Sequence, residues 1–82
     1  MNRYTWIEPT QEQQDQALLV QIELIEALNR MRREGFDPRI LMAGMAAAAA
    51  DTVTTYFGNQ AVEPWFAKQA EMVAEIMQGR RS

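Results

Sequence analysis

Apolar residues recur at helical spacing along the first third of the chain. Within residues 11–34, placed at intervals of about 100°, they cover an arc of about 200°, and charged residues cover most of the remainder. Thr10 and Gln13 match a capping box at the start, and Gly35 is the residue type that commonly closes a helix. The pattern predicts helix 1 over about residues 11–34, with an apolar arc wider than one neighbouring helix needs.

An acidic residue followed by a proline predicts the start of each of two further helices. Asp37 is a preferred N-cap and Pro38 fits the first helical position, which predicts helix 2 over about residues 38–57. The same signal predicts helix 3 over about residues 64–78, closed by a glycine. Because the connection between helices 1 and 2 has only about two or three residues, we expect these helices to form an antiparallel hairpin.

Helix 2 is apolar around nearly its whole circumference. Asp51 is its only charge after Arg39, and alanines fill the gaps between the larger side chains. A helix that is apolar all round is expected to be buried all round, which two neighbours in so short a chain cannot achieve. A second copy is the natural cover, and the small-residue ridge on which we expect it to pack consists of Gly44, Ala47, Ala48 and Asp51. The alternative is that the alanines allow close packing of helices 1 and 3 within one chain, or that they are partly exposed as good helix formers.

These patterns predict an all-α fold, a three-helix bundle with an extended N-terminal arm that associates as a dimer. The arm covers residues 1–9, a single helical domain covers residues 10–79, and a tail covers residues 80–82. The arm contacts are assigned to Tyr4, Trp6 and Ile7, because aromatic and branched side chains gain most from burial. We expect the arm to lie over its own bundle or across the partner chain.

Composition limits the chemistry open to this chain. The 82 residues contain no cysteine and no histidine, which removes disulfides, thiolate nucleophiles and the usual zinc sites. The only serine is Ser82, and Asp51 is the one carboxylate placed in an apolar setting, where burial would raise its pKa and make it a base. A single such acid is a poor basis for catalysis. We therefore expect no enzyme activity, no catalytic residues, no metal and no cofactor.

The distribution of charged residues suggests a second hypothesis for the kind of partner. The net charge of −3 makes nucleic acid an unfavoured partner overall. Around the turn between helices 1 and 2, however, lies an arginine cluster that could bind an anion beside a helix start: Arg30, Arg32, Arg33 and Arg39. The alternative is that arginines near the end of helix 1 simply complement its dipole and pair with glutamates four residues away, as Glu26 with Arg30.

The longest apolar run, residues 40–50, has about half the length needed to cross a bilayer, which predicts no membrane partner. The N-terminal residues lack the apolar core of a signal peptide, so a cytoplasmic location is expected. Surplus apolar helix surface together with missing catalytic residue types indicates a non-enzymatic interaction module: a helical homodimer that acts as an adaptor, accessory subunit or regulator for a protein partner. The alternative is an anion or nucleic-acid binding protein that uses the arginine cluster.

Overall fold

The structure is a computed structural model, and it describes residues 6–81. Three α-helices and one short 3-10 turn follow one another, and no strand occurs in this part of the chain. The helices are α1 (Gln11–Arg33), α2 (Pro38–Phe57) and α3 (Val62–Arg81), and the 3-10 turn is Asn59–Ala61. The prediction of an all-α protein with three helices is therefore confirmed.

Local hydrogen bonds explain where α1 begins and ends. The Thr10 hydroxyl accepts from the amide of Gln13 at 3.1 Å, and the Gln13 side chain accepts from the amide of Thr10 at 2.9 Å, which completes the capping box. At the other end Gly35 has φ +101°, and the amide of Phe36 donates to the carbonyl of Met31 at 3.1 Å. This pattern closes the last turn in the way predicted from the glycine.

The start of α2 is fixed by Asp37. Its Oδ1 accepts from the amide of Arg39 at 2.8 Å, and Pro38 occupies the first helical position. Both ends of α2, Pro38 and Phe57, agree with the prediction. Gly58, with φ +92°, ends the helix by adopting a left-handed conformation.

Both predicted ends of helix 3 are wrong. The helix begins at Val62, two residues earlier than expected, because a proline is tolerated throughout a first turn whose amides lack helical partners. Pro64 is thus its third residue. The helix also continues past Gly79 to Arg81, since Gly79 does not take a positive φ. A glycine near a helix end closes the helix only when its backbone turns left-handed.

The described residues fall into two units, which are Ile7–Ala47 and residues 48–81 together with Trp6. Both units share α2, and one helical domain over residues 10–79 stays a prediction. Within Ile7–Ala47, the backbones of α1 and of the first half of α2 do not lie side by side, so the predicted antiparallel hairpin is wrong. A short connection brings two helix ends close, but it does not fix the angle between the helices.

Very little of the single chain is buried. Of residues 6–79, whose exposure the structure describes, only Val53 and Ala61 are buried, at 4% and 0% exposure. Sixteen large apolar side chains in the same range are exposed. The described helices thus have apolar sides of which few residues are buried.

Candidate interaction surface

The exposed apolar surface is most continuous on α1. Its branched residues are exposed by about half or more, among them Val20 at 58% and Leu24 at 49%. Only Ala27, Leu28 and Met31, close to the turn, are half-buried. Leu19 is also exposed but lies on the charged side of the helix, about 140° from Leu24 in projection. The apolar arc predicted from the sequence is therefore present and uncovered.

The second half of α2 has one covered face and one open face. Val53 is buried and its neighbours Ala49 and Ala50 are half-buried, whereas Ala48 and Asp51, on the opposite side in projection, are exposed. All four residues of the small-residue ridge are exposed: Gly44, Ala47, Ala48 and Asp51. Space around Gly44 is also open, since a Cβ added there would meet no atom within 4 Å.

Asp51 is exposed on an open helix face, and the burial considered for it from the sequence is not present in the single chain. The two nearby threonines turn inward: Thr52 donates to the carbonyl of Ala48 at 2.8 Å, and Thr55 donates to the carbonyl of Asp51 at 2.9 Å. Because these hydroxyls are satisfied by their own helix, the face presents their methyl groups and the alanines to a partner.

The arginine cluster is divided between two roles. Arg39 forms an ion pair with Asp37, with Nη2 and Oδ2 at 3.0 Å and a second bond from Nε to Oδ1 at 3.3 Å. Hydrogen bonds from the Arg39 side chain and amide lower the pKa of Asp37 below its usual value, and the pairing raises the pKa of Arg39. The other three arginines lie in the last turn of α1: Arg30, Arg32 and Arg33. Arg39 is thus already neutralised by its own helix cap, and anion binding by the cluster stays a prediction.

Two of the three predicted arm residues are described. The Trp6 ring is half-buried and lies under the ammonium group of Lys68, with Nζ 5.8 Å from the ring centroid. This distance is within the range of a cation–π contact, which joins the end of the arm to α3. Ile7 is exposed at 80%. Tyr4 lies outside the described residues.

Sequence reasoning missed the uneven burial of α3. Trp65 and Phe66 are half-buried and meet edge to face, with ring centroids 5.0 Å apart. Farther along the same helix, Val73, Ile76 and Met77 are exposed by about half. All five share one side of α3 in projection, and periodicity alone does not tell which part of an apolar side is covered by its own chain.

By length and composition alone, α2 is also long and apolar enough to cross a membrane. Few of its residues are buried within the chain. Among the residues described, no group of three or more acidic side chains is placed to hold a metal ion. No protein-family model, curated protein sequence or solved structure shows significant similarity to the chain.

Proposed function

We propose that this protein is a non-enzymatic helical interaction module that forms a homodimer and presents the dimer to a protein partner, as an adaptor, accessory subunit or regulator. The observation that carries the proposal is the exposure of sixteen large apolar side chains beside only two buried residues in the described chain. Hydrophobic burial is the main favourable term in folding and association, so a surface of this kind is stable in water once another surface covers it.

A second copy would supply neighbours for the exposed apolar faces of the described helices. Bundle packing of the predicted kind would then arise between chains, with the small-residue ridge on the open face of α2 as one contact.

Two other uses of these surfaces are less favoured. Spanning a membrane with α2 would place Asp51 in the hydrocarbon region, which costs about 2.5–3.5 kcal/mol near a helix centre. Binding an anion through the arginine cluster would compete with the bond that Asp37 already makes to Arg39. Neither objection applies to a protein partner, for which an exposed apolar face whose threonine hydroxyls are bonded within their own helix is suitable.

Sedimentation equilibrium over a range of concentrations tests the homodimer directly. We expect a species of twice the 9.4 kDa chain mass at micromolar concentration, with dissociation on dilution. A chain of 9.4 kDa at all concentrations would contradict the proposal. Flotation with neutral lipid vesicles would indicate a membrane role, and a strongly salt-dependent titration with nucleic acid would indicate the arginine cluster; either result, together with a monomeric mass, would replace the proposal.

A further inference from the structure

The apolar side of α3 is partly covered in its first half and open in its second half. In the first half, the half-buried residues of this side and its border are Val62, Trp65, Phe66, Lys68, Gln69 and Met72. The same side continues in Val73 and Ile76, which are exposed at 56% and 55%. The backbones of α2 and α3 do not lie side by side, so this cover is not a helix packed along α3.

The Trp6 ring lies against the middle of the covered stretch. It is half-buried, and its centroid is 5.8 Å from Lys68 Nζ, within the range of a cation–π contact. Trp6 belongs to the same compact unit as residues 48–81, whereas Ile7, the next residue, does not and is exposed at 80%. Of these two arm residues, Trp6 is therefore the one that packs on α3.

The group that meets the Trp6 ring is a single positive charge. Lys68 is the only lysine in the chain, and its Nζ also lies 3.8 Å from Glu71 Oε1. Its side chain is exposed at 32%, so water reaches the contact. A cation–π contact at such a site favours the docked state only about two- to fivefold. The contact is thus strong enough to bias the position of Trp6 and weak enough to open.

We infer that Trp6 is a releasable cover for the first half of the apolar side of α3, and that the positive charge of Lys68 holds it there. A docked indole shields a large apolar area and limits the open side of α3 to its second half. Once Trp6 leaves, a partner can contact this side along both halves. In opposing that partner the inference rests on the proposed function, whereas the docking of Trp6 does not depend on a dimer.

Acrylamide quenching of tryptophan fluorescence measures the docking of Trp6. The chain has two tryptophans, so Trp65→Phe leaves Trp6 as the only reporter and keeps a ring beside Phe66. In this background Lys68→Met removes the charge but keeps a long apolar stem, and Lys68→Arg keeps the charge. Arg33→Met is the matched control, because it removes a positive charge from α1.

We expect the ratio of released to docked Trp6 to rise about two- to fivefold in Lys68→Met, which increases the quenching of Trp6. Lys68→Arg and Arg33→Met should leave the quenching unchanged, because both retain a cation at residue 68. Circular dichroism of each variant confirms that the helices are retained.

Trp65 reports the cover from the other side of the contact. Trp6→Ala and Trp6→Phe each leave Trp65 as the only tryptophan, but only Trp6→Phe retains a ring on the arm. If the Trp6 ring covers the first half of α3, we expect the quenching of Trp65 to be roughly 1.5-fold higher in Trp6→Ala than in Trp6→Phe.

The outcomes separate the cover from the proposed function. Higher quenching in Lys68→Met and in Trp6→Ala, with unchanged values in the variants that retain the charge or the ring, supports the inference. Equal quenching of Trp6 in Lys68→Met and Lys68→Arg would show that the charge does not hold the arm. Equal quenching of Trp65 in Trp6→Ala and Trp6→Phe would show that Trp6 covers nothing, and either result contradicts the inference. A monomeric mass in sedimentation overturns the homodimer and leaves these comparisons intact.

Discussion

Residues 48–79 and residues 7–47 use their apolar side chains differently. The first of these regions holds both buried residues, Val53 and Ala61, together with the half-buried aromatic pair of α3. The second region contains no buried residue, although α1 is its longest helix and has a broad apolar arc. The residues that end and begin its helices are nevertheless fully bonded by local caps. Local signals can therefore set the ends of a helix whose apolar side chains its own chain leaves exposed.

We expect the largest effect on dimerisation from substituting Leu24 on α1, compared with the same substitution at Leu19. Leu24→Lys places a charge in the exposed apolar arc of α1 and is expected to abolish dimerisation at micromolar concentration, a loss of at least about 2 kcal/mol. Leu19→Lys is the matched control, because Leu19 is exposed on the charged side of the same helix and should leave the dimer unchanged. Sedimentation equilibrium measures the dissociation constant of both variants. Equal effects of the two substitutions would show that the apolar arc of α1 is not the contact.

A second comparison tests burial in residues 48–79. Val53→Ala removes two carbon groups from a buried site and is expected to lower the free energy of unfolding by about 1.5 kcal/mol or slightly more. Thr52→Ala removes the same number of heavy atoms from the exposed adjacent position, and we expect a change within about 0.5 kcal/mol. Urea unfolding followed by circular dichroism gives both values. Similar losses would mean that Val53 is not a core residue.

Replacing Gly35 or Gly79 with alanine is expected to change the free energy of unfolding in opposite directions. Gly35→Ala forces a side chain into a left-handed conformation at φ +101° and is expected to destabilise the chain by about 1–2 kcal/mol. Gly79→Ala replaces a glycine inside α3, where a Cβ meets no atom within 4 Å, and should stabilise it by about 0.5–1 kcal/mol. Thermal unfolding of the two variants shows the signs. Stabilisation by Gly35→Ala would contradict the backbone geometry of the turn.

The smallest expected effect is a dependence on pH at the start of α2. Since pairing with Arg39 lowers the folded-state pKa of Asp37, its contribution to stability is complete above the unfolded value of about 3.9 and is lost as the pH falls through the folded value. Asp37→Asn keeps a cap but removes the charge. The difference in urea midpoint between the unmodified protein and the Asp37→Asn variant should therefore be present at about pH 6 and disappear as the pH falls through the lowered folded-state pKa of Asp37. A difference that grows as the pH falls would have the wrong sign.

Local sequence signals predicted most of the helix ends but not the packing. The capping box at Thr10, the left-handed Gly35 and the Asp37 cap act over a few residues, so α1 and α2 were predicted almost to the residue. The end of α3 was wrong because Gly79 can be helical or left-handed, and no neighbouring residue decides between them. Burial depends on distant contacts that local signals do not fix, which is why the hairpin between helices 1 and 2 was predicted wrongly. The small-residue ridge was predicted from composition and lies on the open face of α2.

Hydrogen exchange of α1 at two protein concentrations tests the central claim most directly, because it compares the two regions in one sample. The claim is that the exposed apolar arc of α1 is covered by a second copy. At concentrations above the dimer dissociation constant we expect slow exchange of the amides around Leu24, and below it we expect exchange in α1 to become much faster than around Val53. Exchange in α1 that is equally fast at both concentrations would contradict the claim.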